Sequence, residues 1–150
     1  MQEATLLVQA IATAVIALTL GVQFFQLRAM RKSEGIQNIL YLVNFLQDQE
    51  VRNARSMVIK QLKEKSITDW NEEERKCAST VCSTYDLAGI FIRRGLVPLE
   101  PFADNWGPSI RKCYSILEPF IREMQKPENE GPQYWNDFPW LFQQVNQAQE

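Results

Sequence analysis

Apolar residues crowd one end of the chain and recur at helical intervals through the rest. No charged residue occurs between Glu3 and Arg28, and the run Ala4–Leu27 is dominated by Ala, Val, Ile, Leu and Phe. At ~1.5 Å per residue, a helix over that run is about 36 Å long, enough to cross the ~30 Å hydrocarbon layer of a bilayer. The pattern predicts a transmembrane helix over roughly Leu6–Leu27. A signal peptide fits less well, because Glu3 stands where a positive region belongs and Phe24-Phe25-Gln26-Leu27-Arg28 is a poor cleavage site. A buried core helix of this length would be unusual in so small a protein, although Gln9, Gln23 and Gln26 dilute its hydrophobicity.

Past Arg28 the helical period continues. Ile36, Ile39, Leu40, Leu42, Val43, Phe45 and Leu46 share one face, and Gly35 need not end the helix. Val51, Ala54, Met57, Val58 and Leu62 mark a second helix over Glu50–Lys65 with a charged opposite face. A third is expected to start at a Thr68 or Asp69 cap and to bury Ala78, Val81, Cys82, Tyr85, Ala88, Gly89 and Ile92, with Gly95 as its stop. Leu96–Gly107 reads as a connector with a short helix over Leu99–Asp104. Pro108 suits the first turn of the next helix, which would run to about Gln125 and be kinked or split at Pro119. A Pro-, Glu-, Asn- and Gly-rich loop over residues 126–132 precedes a last helix from Gln133 to about Gln147. No alternating strand pattern and no repeat occurs. The expected fold is all-α: one N-terminal transmembrane helix in residues 1–27, then a bundle of about four to five helices in residues 28–150.

The flanks of the span set its direction. Arg28, Arg31 and Lys32 follow it and no Lys or Arg precedes it, so the positive-inside rule leaves the C-terminal domain in the cytoplasm of an inner or plasma membrane. Thr5, Gln9, Thr13, Ala17 and Gly21 recur every four residues and form one stripe of small or polar side chains. Such a stripe lets helices approach closely in lipid, which makes it a candidate face for self-association or for pairing with another membrane protein.

Composition removes several chemistries. The chain has 16 Lys and Arg against 18 Asp and Glu, and this near balance lacks the basic excess of a nucleic-acid binder. Histidine is absent, which excludes Ser-His-Asp and Cys-His catalysis within the chain and removes the commonest metal ligand. Cys77, Cys82 and Cys113 have no paired spacing, so they read as small core residues in a reducing compartment and not as a metal site. No phosphate-binding glycine loop and no nucleophile elbow occurs. No cofactor is expected.

Two groups of residues stand out. Asp86 lies near Arg93 and Arg94, a setting for an ion-pair network and not for a poised base. Gly89, in mid-helix, predicts the close approach of another helix, with the one bearing Trp106 as the candidate. Tyr134, Trp135, Phe138, Trp140 and Phe142 put five aromatics in nine residues. They suit packing on the domain's own helices, contact with the bilayer or, for Tyr134, Trp135 and Trp140, contact with a partner.

The succession Tyr85-Asp86-x-x-Gly89, Arg93-Arg94-Gly95-Leu96, Trp106 and Leu117-x-Pro119-x-Ile121-Arg122 resembles a bacterial family of small proteins defined only as a domain of unknown function. The resemblance spans most of the chain. It implies one transmembrane helix and an all-α cytoplasmic domain, and it carries over no activity and no catalytic residue. The functional expectation is a membrane-anchored, non-enzymatic interaction or scaffold protein. The alternative is a defence- or toxin-like effector whose spans assemble in the bilayer. An enzyme would need a small molecule near Asp86, Arg93 and Tyr114.

Overall fold

The computed structural model describes the backbone of residues 2–148, with the side chains of residues 2–8, 10–12, 14, 29 and 31–35 outside the description. Among the described residues it is all-helical: α1 (Gln2–Gln47), α2 (Gln49–Met57) continued by a π-helical turn (Val58–Leu62), a 3-10 turn (Ile67–Asp69), α3 (Glu72–Arg93), α4 (Leu99–Met124) and α5 (Asp137–Gln147). The chain divides into two units, Met1–Gln37 and Asn38–Glu150.

The described residues of the first unit are helix alone. Its continuously described apolar stretch, residues 15–27, rises only about 20 Å. Among the described residues no helix is long and apolar enough to cross a membrane.

The second unit is built around α3, which packs against α2, α4 and α5. Its expected inner face is the observed one: Ala78, Val81, Cys82, Tyr85 and Ala88 have no solvent exposure. The start of α3 differs from expectation. Thr68 and Asp69 belong to the 3-10 turn, and the cap is Asn71, whose side chain accepts from the Glu74 amide while Glu74 reaches back to the Asn71 amide. This reciprocal box satisfies two orphan amides at once, and Lys65 holds the same carboxylate at 2.7 Å. The end is as expected. Gly95 at φ +69° turns the chain, its amide donates to Ile92 and the Leu96 amide to Phe91, both at 2.9 Å. These two hydrogen bonds, one from the left-handed glycine and one from the residue after it, form a Schellman stop.

The largest departure is α4. The connector shrinks to residues 94–98, and no break at Pro108 or Pro119 occurs; one helix runs through both. Each proline deletes one amide and frees the carbonyl four residues earlier. Both prolines are exposed, and so are Asp104 and Ser115, whose carbonyls are the ones released. Water can therefore serve those carbonyls, and the interruption costs the helix little. The first inward position of α1 also moves: Ile36 and Leu40 are exposed, and Leu42 and Leu46 are the residues that enter the core.

Candidate functional site

The Tyr85-Asp86-x-x-Gly89 segment of α3 forms a socket for the start of α5. Asn136, which precedes α5, makes no side-chain cap. Asp86 supplies one from across the interface: its Oδ1 accepts from the amides of Asp137 at 2.8 Å and Phe138 at 3.1 Å. A carboxylate there also suits the positive end of the helix dipole. Burial raises the Asp86 pKa, and the two amide bonds oppose that rise without cancelling it. The expected network of Asp86 with Arg93 and Arg94 is not formed; Arg93 pairs with Asp137 at 2.9 Å. Gly89 does permit a close approach, but of α5 and not of the helix bearing Trp106. A Cβ built on Gly89 would lie 2.4 Å from the Asp137 carbonyl oxygen. Tyr114 belongs to the same core: its ring stacks on Phe142 at 4.2 Å and meets Phe138 edge-on at 5.3 Å.

The aromatic segment serves this docking. Trp135 is 5% exposed and donates its indole N–H to Ser83 Oγ at 3.0 Å. It adopts φ +50°, a strain of roughly 1–3 kcal/mol for such a side chain. Burying a tryptophan ring is worth roughly 4–6 kcal/mol by area, so packing wins over the local backbone preference. Tyr134 lies 4.3 Å from the Trp135 ring, and Arg93 sits 5.6 Å over Trp140; both aromatic residues are half-buried against the core.

A second group lies between the end of α1 and the first half of α4. Ile39, Leu42, Val43, Gln47, Val97, Pro101, Phe102, Asn105, Trp106 and Ser109 line a cleft of about 490 Å³. Beside it is a buried polar cluster. The Tyr85 hydroxyl and Ser109 Oγ share a 2.7 Å hydrogen bond, and burial drives the Tyr85 pKa upward. Burial likewise pushes the Cys113 thiol up to about 11. Arg55 of α2 reaches the same place. It is 9% exposed, its guanidinium carbon lies 4.9 Å over the Trp106 ring, and its Nη1 has no hydrogen-bond partner. Among the described residues no carboxylate pairs with it.

An unpaired buried cation costs several kcal/mol after relaxation. Stacking on a desolvated indole returns only about 2 kcal/mol. The charged face expected for the second helix therefore contributes one cation to the interior. The signal was present in the sequence, because Arg55 stands four residues after Val51 and seven before Leu62, inside the apolar stripe.

In the first unit, apolar side chains are exposed on all sides of α1, with Leu18 at 71% and Phe25 at 72%. Within the small-residue stripe, Gln9, Thr13 and Ala17 are exposed and nothing lies within 4 Å of a Cβ built on Gly21. The Thr13 hydroxyl donates to the Gln9 carbonyl at 2.8 Å. Thr5, Arg31 and Lys32 lie outside the described side chains, and Arg28 is exposed. Among the described residues no group of three or more His, Cys, Asp or Glu could hold a metal ion.

Fold and site define a small all-α protein with a partly open amphipathic cleft in its helical domain. The chain belongs to the family described as Domain of unknown function (DUF4760), whose model matches residues 13–145. No curated protein and no solved structure matches it.

Proposed function

We propose that the protein is a membrane-anchored, non-enzymatic interaction module, with α1 as a single span and the helical domain on the cytoplasmic side. The observation that carries this reading is the exposed apolar surface from Val15 to Leu27. No core covers these side chains within their own unit, and lipid is the solvent in which such a surface is stable. The uncharged run in the sequence extends further, from Ala4 to Leu27, which is long enough to span. Arg28, Arg31 and Lys32 at its end favour a cytoplasmic domain.

The domain itself offers a contact surface. Leu40, Tyr41, Ile90 and Leu96 are exposed, and Tyr41 stacks on Phe91 at 6.1 Å. The stripe from Thr5 to Gly21 is the face through which spans would pair. The test is carbonate extraction of membranes from cells expressing the full chain, followed by crosslinking in mild detergent. Retention in the washed membrane is expected, with a crosslinked species that Gly21→Leu weakens. Release of the full chain by carbonate would refute the anchor. An unchanged crosslink in Gly21→Leu would refute the pairing face alone.

A further inference from the structure

We infer that α2 is a strap that opens as a unit under native conditions, lifting Arg55 out of the core while the turns on either side stay seated. The helix is weakly fastened. Val51 and Ala54 are its buried apolar residues, and the third buried residue is Arg55. The Arg55 guanidinium lies over the Trp106 ring at 4.9 Å, the Tyr85 hydroxyl beside it is neutral, and Nη1 has no hydrogen-bond partner. Among the described residues no carboxylate pairs with it. In an opened state the cation regains its hydration, so this side chain works against closure. The short helix α5 is built differently: Phe138, Leu141 and Val145 are its buried residues, each at 0% exposure, and none is charged.

The flanks of α2 are anchored, and each carries a change of backbone geometry. Leu46 before it, and Val58 and Leu62 after it, are enclosed in the core. Between Leu46 and α2, Asp48 takes ψ 142° and interrupts the helix, while its carboxylate accepts the Glu50 amide at 2.9 Å. At the other end α2 passes directly into the π-helical turn Val58–Leu62. Such turns are rare, occur mostly singly, and are frequent at functional sites. A helix of nine residues has little stability of its own, so the loss of two small apolar contacts is enough to release it. Release frees the second face of the Trp106 ring and parts the Tyr85 hydroxyl from its cation.

The test is native-state hydrogen exchange of the full chain in nanodiscs of neutral phosphatidylcholine, read by mass spectrometry of digests. In the parent, the hydrogen-bonded amides of α2 should exchange at least about tenfold faster than those of α5, the mark of a local opening below global unfolding. Arg55→Met keeps an unbranched side chain of similar reach and removes the charge. Exchange in α2 should then slow by about tenfold or more, since an apolar replacement of a buried charge commonly stabilises. Val51→Ala removes one of the two apolar fastenings and should speed it. Equal exchange in α2 and α5 of the parent would overturn the proposal without any variant. So would unchanged or faster α2 exchange in Arg55→Met, or failure of that variant to fold, because the cation would then be holding α2 down.

Discussion

Replacing Gly89 by alanine isolates the contact between α3 and α5. In an unconstrained helix the substitution stabilises by ~1 kcal/mol, because alanine loses less backbone entropy. Here the new Cβ would sit 2.4 Å from the Asp137 carbonyl oxygen and 2.9 Å from its carbonyl carbon. Both are backbone atoms, so no side-chain rotation relieves the clash, and the start of α5 must retreat by about 1 Å to reach ordinary contact. Overpacking of this kind costs roughly 1–3 kcal/mol. The retreat also stretches the two amide bonds to Asp86, a cap worth ~1–2 kcal/mol. The balance is a loss of about 2 kcal/mol, or roughly 8 °C in melting temperature for a domain of this size. Circular dichroism of the full chain in mild detergent measures it. Gly21→Ala is the control, since its Cβ meets nothing within 4 Å and the domain transition should not move. A Gly89→Ala variant as stable as the parent, or more so, would show that α5 is not seated as described.

Asp86→Ala should destabilise by about 1–3 kcal/mol by orphaning two buried donors, while Asp86→Asn keeps an acceptor and should lose clearly less; equal losses measured by urea unfolding would argue against the cap. Because the Asp86 pKa is raised, the folded state holds its proton more tightly than the unfolded one, so this group takes stability away as pH rises through the carboxylate range. Asp86→Asn should therefore compare better with the parent above that range than below it. Glu74 acts with the opposite sign. Its pKa is lowered by the bond from Lys65 and then by the Asn71 amide, so its contribution is present above the ordinary carboxylate pKa and lost as pH falls through the lowered one. Glu74→Gln should be less stable at neutral pH and show a shallower acid limb in stability against pH. Iodoacetamide at pH 8 should modify Cys77 first, with Cys82 and Cys113 protected until unfolding, because burial raises all three thiols and the latter two are enclosed; mass spectrometry of timed digests reads the order.

What the sequence reveals about the fold is uneven, and the reasons are physical. The inner face of α3 was legible to the residue because a 3.6-residue period and a glycine stop act locally. The cap was misplaced because Thr68, Asp69 and Asn71 are all competent caps, and the partner that selects Asn71, Glu74, is held by Lys65 from the preceding turn. Pro108 and Pro119 read as breaks because the cost of a proline depends on where the released carbonyl points, and that is settled by tertiary packing. Gly89 announced a close approach without naming its partner. The cationic residues nearest Asp86 along the helix are Arg93 and Arg94, whereas its partners are two amides more than fifty residues away. Arg55 stands within the apolar stripe of α2, where a charge would ordinarily mark the outer face. The cleft itself could not be foreseen, since it depends on α4 running unbroken past Trp106.

The socket at Asp86 and Gly89 has a consequence for how this sequence can drift. One position supplies an acceptor and the other an empty volume, and both serve the same two residues of α5. Once a side chain at position 89 has pushed α5 back and stretched the two amide bonds, Asp86 holds it less well, and a second substitution there costs less. Substitutions at 86 and 89 should therefore be strongly epistatic, with the double variant little worse than Gly89→Ala alone. Within the family, a change at position 86 should therefore be found chiefly where position 89 has already changed.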